Sequence, residues 1–574
     1  MSAALAVVCA FIIYGLAFRF YARHLGRRVY ALDDQRRTPA HALEDGVDFV
    51  PTNRFVLFGH HWASITGLAP MLGPAVAVIW GWGPAMLWVV LGAVLVGCVH
   101  DFSALVVSMR ARGVSIGKVA EGVIGPRAKL LFLLIIFFGI ALAMGVFTIY
   151  ISKLFSGKYG TAVIPSGGIM LIAAVIGWMV YKRGFRLGPL TAVGFVVMLL
   201  LVWLGKENPV TGIDGDSWST ILLIYAFAAS VLPVWSLLQP RDFLNSLLLY
   251  LGLFLGYVGF FVAAPEFAAP ALNIAPEGAP PIFPFVFITI ACGAASGFHG
   301  LVSSGTTAKQ INKETDAPFI GYGGMVGESM LGLLAVLATS AGIALGEQSP
   351  ASVWESHYHS WEAVKATPLD NFISGTARFL GSLGIGEAIA QSFIAVLVVS
   401  FALTTLDSAT RLLRYNISEL GESIRVPQLG NRYIATTLAV LAIGFFAFFK
   451  VDGKPAGLAL WSLFGTTNQI LAGLTLLTVT LYLMQRRRNP WFTGIPMIFM
   501  LSTSIIAMVF NLGSFSNDWS FDEGTLWPLL TVGASLLLLA TWLVVEAVLA
   551  TRRTLIDEEP IESMDVFSGP SEDA

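Results

Sequence analysis

Charged side chains are scarce in this chain: Asp, Glu, Lys and Arg make up 12% of its 574 residues, against roughly 25% in an ordinary soluble domain. With mean hydropathy at +0.75, such a composition cannot supply a water-compatible surface, which excludes the soluble globular class. Neither sign of charge dominates, since the formal net charge is −2; a basic domain able to neutralise a phosphate backbone is absent, and nucleic acid is not an expected partner. Cysteine is rarer still. Cys9, Cys98 and Cys292 each sit alone in an apolar run with no CxxC or HxxxH company, so they read as small core residues, and neither a disulfide framework nor a metal centre is expected. Nucleotide chemistry has no motif to stand on: the run Gly113 to Val119 imitates a phosphate loop but has its glycines one residue too close and no Ser or Thr after Lys118. No HExxH helix is present either. No cofactor is expected, and no enzyme.

What the chain does have is apolar blocks of about 20 residues, the length a helix needs to cross a hydrocarbon core. About fifteen such spans are predicted, from Ser2–Tyr21 to Trp527–Ala550, in an all-α integral membrane protein. An alternating barrel pattern is missing. The first span is followed, not preceded, by basic residues (Arg23, Arg27, Arg28), so it reads as a retained helix rather than a signal peptide. Lys and Arg favour cytoplasmic loops; with the N-terminus outside and the C-terminus cytoplasmic, the clusters Arg36/Arg37, Arg110/Arg112, Lys309/Lys313, Arg411/Arg414 and Arg486 to Arg488 all fall on one side, as does Arg241. The loop 346–386 is predicted to be external with one short interfacial helix. The acidic tail from Leu555 lacks an apolar face and is predicted to stay unstructured.

Two spans are interrupted near their middles. His60 to Thr66 runs into Gly67-Leu68-Ala69-Pro70-Met71-Leu72-Gly73-Pro74, and Phe285 to Ile290 runs into Ala291-Cys292-Gly293-Ala294-Ala295-Ser296-Gly297 before Phe298 and His299. Proline removes an amide donor and glycine weakens the helix, so both should unwind. In the predicted topology they cross in opposite directions. Discontinuous helices at matching places in two inverted halves point to an alternating-access carrier site, where half-helix ends offer amides to an anion and carbonyls to a cation. The segments divide accordingly: 1–59, an N-terminal helix and basic loop; 60–282 and 283–550, two inverted repeats with extra helices; 551–574, the tail. Thr66, Gly67, Pro70, Gly73, Ser296, Gly297 and His299 are the candidate substrate-binding residues, the second half of the first helix being expected to start near Pro74.

Ionisable residues inside spans are functional candidates by default. Asp101 beside His100, and Glu328 in the corresponding span of the second half, could carry a coupling proton together with His299. The hydroxyls of Thr404, Thr405 and Ser408 could instead join carbonyls around sodium. Asp407 and Arg411, four residues apart on one helix, are expected to pair with each other. His60 and His61 point about 100° apart on a helix, which disfavours a shared ion.

The same residues carry a family resemblance. Phe58-Gly59-His60-His61 through Gly73-Pro74, His100-Asp101-Phe102, Phe287 through Thr307, Glu314 through Gly323, Leu403-Thr404-Thr405-Leu406-Asp407 and Trp461 through Gly473 resemble the carbon starvation protein A family of bacterial inner-membrane peptide and pyruvate transporters. The resemblance implies a LeuT-like core of five plus five inverted helices, import of short peptides or a small carboxylate such as pyruvate by ion-coupled alternating access, and a role in carbon starvation. The competing expectations are a channel-like protein, for which no ring of filter residues exists, and a membrane sensor without flux.

Overall fold

The computed structural model describes residues 2–46, 48–451, 454–455, 457–521, 525–556 and 566. Apart from a two-residue antiparallel ribbon, Lys450–Val451 with Lys454–Pro455, regular structure among the described residues is helical. Local chemistry sets the helix ends. Proline occupies the first turn of Pro126–Ser156 and of Pro368–Gly381, where its missing amide costs nothing. Asp214 accepts from Ser217 N at the start of Gly215–Val231, and Gly184, at φ 72°, closes Val163–Arg183 as only a residue tolerant of the left-handed region can.

Eleven helices among the described residues are long and apolar enough to cross a membrane, or twelve with the bent pair Arg54–Ile65 and Ala69–Trp80 counted as one. The predicted number of fifteen is not reached on that measure. Three of the predicted spans are instead the 17-residue helix Gly215–Val231, the divided pair Ile282–Thr289 and Gly297–Gly305, and the 16-residue helix Arg432–Ala447. Pro233 stops the first of these, since it cannot continue the hydrogen-bond ladder. The loop 346–386 is more ordered than predicted and holds three helices, Pro350–Tyr358, Trp361–Ala366 and Pro368–Gly381. The acidic tail lies almost wholly outside the described residues.

Both interrupted spans are broken. In the first, Arg54–Ile65 ends at Thr66, whose ψ of 100° leaves the helical region, and a new helix starts at Ala69 after a bend of 52°. The restart falls five residues before the predicted Pro74, which lies inside the second helix. Pro70 explains the shift, because proline is favoured in a first turn and needs no amide there. In the second, Ile282–Thr289 gives way to an irregular stretch, and helix resumes at Gly297. The two broken helices run antiparallel. At one end Thr52 N donates to Gln310 O (3.0 Å) and His61 Nδ1 meets Thr307 Oγ1 (2.8 Å); at the other, Trp80 Nε1 donates to Pro280 O (3.2 Å).

Glycine makes this crossing possible. A Cβ on Gly73 would lie 2.4 Å from Thr289 O, and one on Gly97 2.1 Å from Ala294 O. Gly293, at φ +87°, rests against Pro70 and Gly332. The second break is thus clasped between the first broken helix and its followers.

Candidate functional site: a buried histidine between two carboxylates

The irregular stretch 290–296 needs partners for its freed backbone groups, since unsatisfied polar groups in the apolar interior are strongly destabilising. Gln469 Nε2 donates to Phe287 O (3.2 Å) and Ala291 O (3.3 Å), and Trp88 Nε1 donates to Ile290 O (3.3 Å). On the other side of the break, Asn468 Oδ1 accepts from Phe298 N (2.9 Å) while its Nδ2 donates to Ser296 Oγ (3.1 Å). Adjacent residues of one helix, Gly457–Gln485, therefore hold both lips of the break. Gly297 lets that helix approach, for a Cβ there would stand 2.4 Å from Asn468 O.

His299 sits in the first turn after this break, fully buried. Its Nδ1 donates to Asp101 Oδ2 (2.8 Å), and Asp101 Oδ1 accepts from His100 Nδ1 (2.7 Å). An ionised carboxylate offers only lone pairs, so these contacts fix both rings as Nδ1–H. The opposite nitrogen, His299 Nε2, lies 2.9 Å from Glu328 Oε2. That separation suits an ion pair, but the N–H direction misses the oxygen, and neither Glu328 oxygen has a hydrogen-bond partner. A neutral His299 would set its Nε2 lone pair against an ionised carboxylate at this distance. The arrangement is relieved when a positive charge enters, as a proton on either group or as a cation between them. Asp101, His299 and Glu328, singled out separately in the sequence, thus form one cluster.

The other predicted site residues lie close to the two breaks, all buried. Gly67 faces Thr405, whose Oγ1 would lie 2.8 Å from a Cβ there, and the hydroxyls of Thr66 and Thr405 are both unpartnered. Thr404 is already engaged: it accepts from Asn245 Nδ2 (2.7 Å) and donates to Ser400 O (2.8 Å). Ser408 lines a small cavity of about 40 Å³ with His60 and Lys309. The predicted Asp407–Arg411 pair does not form. Asp407 pairs with Arg241 and accepts from Tyr225 OH (2.5 Å), and Arg411 donates to the carbonyls of Ala229 and Leu232. The cause is the early stop at Pro233, which leaves terminal carbonyls for the Arg411 guanidinium to satisfy, while Arg241 supplies the counter-charge of Asp407. Arg241, predicted in a loop, is 1% exposed in the helix Leu238–Ala263. It also donates to Asp242 Oδ1 (3.0 Å), whose Oδ2 meets His60 Nδ1 (3.1 Å). The adjacent Arg-Asp pair at the head of an apolar run was the available signal.

Access to the buried region differs at the two ends. A cavity of about 890 Å³, lined by Tyr150, Pro281, Trp461 and Trp519, descends to Leu72 and Thr289 beside the breaks. The opposite end has a cavity of about 250 Å³ walled by Ser115, Ser304, Lys309 and Glu419.

Oppositely directed broken helices around a buried ionisable cluster, with a vestibule toward either end, are the arrangement of a multi-pass membrane transporter. The comparisons then specify which. The profile of the family described as carbon starvation protein CstA matches residues 2–507, and the chain belongs to that family. Among its relatives, "Peptide transporter CstA" of Helicobacter pylori is 33% identical over 89% of this chain and 82% of its own length. "Pyruvate/proton symporter BtsT" of Escherichia coli is 32% identical over 90% of this chain and 82% of its own length. Among solved structures, a mutant of the Eremococcus coleocola manganese transporter aligns over 89% of this chain and 99% of its own, at 12% identity and a TM-score of 0.45.

Proposed function

We propose that this chain is a proton-coupled importer of short peptides or of a small carboxylate such as pyruvate in the bacterial inner membrane, with the coupling proton held by His299 and Glu328. The observation that carries this reading is His299 standing between Asp101 and Glu328 at the edge of the second break. Protonation there changes the charge of a wholly buried cluster lying next to the unwound backbone, so proton entry and movement of the break are coupled physically. The relatives' names, one of them a proton symporter, support the same reading.

In this cycle, Thr66, Gly67, Pro70, Gly73, Ser296 and Gly297 form the substrate site, reached from the larger vestibule, whose volume suits a ligand of several hundred cubic ångströms. With all of these residues covered, the conformation corresponds to the occluded stage. Support for sodium is confined to Thr405 and Ser408, because Thr404 already has its partners and Arg241 places a positive charge at Asp407 nearby. The two repeats divide at residue 283, and the N-terminus lies outside with the C-terminus in the cytoplasm. The gathering of the basic segments at one end supports that orientation: Arg110 binds Glu314, and Thr38 and His41 bind Asn312.

Uptake of pyruvate and of a dipeptide into proteoliposomes under imposed pH or sodium gradients tests this. A pH gradient alone is expected to drive accumulation in the wild type and not in His299→Ala. Accumulation that follows sodium and ignores pH would overturn proton coupling.

A further inference from the structure

Cys292 takes no part in the coupling scheme, yet its Sγ, a nitrogen of His299 and an oxygen of Glu328 all lie within 4.8 Å of one another, and all three residues are buried. The thiol makes only weak hydrogen bonds, donating to Ser296 Oγ at 3.2 Å and accepting from Asn468 Nδ2 at 3.8 Å. His299 Nε2 and both oxygens of Glu328 have no hydrogen-bond partner. Three donors of different type, sulfur, nitrogen and oxygen, therefore converge on one point, the nitrogen and oxygens without a hydrogen-bond partner and the sulfur held only by a long contact from Asn468. We infer that Cys292, His299 and Glu328 form a binding site for a thiophilic divalent transition ion, zinc above all, which occupies the place of the coupling proton and arrests the carrier.

The donor set selects the ion. Thiolate and imidazole suit zinc and cobalt, whereas magnesium and calcium demand an all-oxygen shell. Ligands about 2.0 to 2.3 Å from a tetrahedral zinc stand about 3.5 Å apart, so to hold the ion His299 and Glu328, now 2.9 Å apart, would part slightly while Cys292 Sγ, within 4.8 Å of both, adjusts to meet it. Cys292 is in the irregular stretch 290–296, where the backbone is not held by a helical ladder and can make that movement. The outer contacts are also in place. Asp101 fixes His299 as the Nδ1–H form, which leaves Nε2 as the metal-facing lone pair, the carboxylate–histidine–metal relay found around zinc ligands. The ion would enter from the larger vestibule, whose floor at Thr289 lies three residues from Cys292.

The inference rests on the proton reading only in its last step, that metal and proton compete. The titratable groups around the site are Asp101 and His100, Cys98 earlier on the same helix, and His61 on the first broken helix.

The test uses the full-length purified chain carrying Cys9→Ala, which leaves two buried thiols. Cobalt(II) is added and the cobalt–thiolate charge-transfer absorption is read. A band is expected that zinc displaces, that persists in Cys98→Ala and that disappears in Cys292→Ala. In proteoliposomes, zinc should inhibit uptake at a concentration at least tenfold lower for the parent than for Cys292→Ala, whose metal-free uptake stays near the parent's; magnesium should have no effect. Absence of the band, its survival in Cys292→Ala, or equal zinc sensitivity of the two proteins would overturn the site. Metal-free uptake that ignores pH while the band is present would refute the proton reading and leave the metal site standing.

Discussion

At the scale of single residues, function here is paid for in stability. Glu328 is a buried carboxylate whose oxygens accept no hydrogen bond, the kind of group a core retains only for a purpose. Glu328→Gln removes the desolvated charge while keeping the shape. The melting temperature in detergent is expected to hold or to rise, and uptake driven by a pH gradient to fall at least tenfold. A variant that loses stability but keeps gradient-driven uptake would make Glu328 a structural residue. The individual members of this cluster were visible in the sequence, because an ionisable residue in a long apolar run stands out. Their convergence was not: His299 and Asp101 are 198 residues apart, and no local periodicity encodes that distance.

At the scale of elements, two kinds of contact hold the bundle. One is electrostatic. Arg241 and Asp242 on Leu238–Ala263, Asp407 on Glu387–Ser423, Tyr225 on Gly215–Val231 and His60 on the first broken helix form one buried network across four elements. Removing the single cation strands two carboxylates away from water, so Arg241→Leu is expected to lower stability by about 3–5 kcal/mol. Adding Asp407→Asn should recover part of it, a coupling that a double-mutant cycle of unfolding free energies measures. The other contact is backbone on backbone, at glycine. Gly73→Val and Gly297→Val push side chains into Thr289 O and Asn468 O, and each is expected to cost about 1–3 kcal/mol, whereas Gly212→Ala, with nothing within 4 Å but a φ of +86°, tests backbone strain without crowding. Thermal unfolding of the three variants side by side separates the two effects. The block Trp461 to Gly473 belonged to the family resemblance, but the role of Asn468 and Gln469 as clamps of the second break emerged only with the helices assembled.

At the scale of the whole molecule, the two ends of the bundle are chemically distinct. The basic segments near residues 30–53, 110–116 and 306–316 meet at one end, and the loops around 264–281 and 346–366 meet at the other, where Trp361 N donates to Glu277 O (2.8 Å). In the orientation we propose, the first end faces the cytoplasm, the side that Lys and Arg favour. In a Cys9→Ala background, a cysteine at Gln348 is expected to react with an impermeant maleimide on intact cells and one at Gln428 only after the membrane is opened; both positions are exposed. The reverse pattern would turn the protein over.

Hydropathy and backbone breakers act over a turn or two of chain, so the membrane class, the helical build and the places where two helices come apart were legible from residue order alone. One boundary was misplaced for a reason equally local: the first broken helix resumes at Ala69, where Pro70 fits a first turn, and not at Pro74. Which charges meet, Asp407 with Arg241 in preference to its own helical neighbour Arg411, and His299 with both Asp101 and Glu328, was decided only in three dimensions. A buried ion must find its counter-charge wherever the folded chain brings one, and sequence spacing does not carry that information.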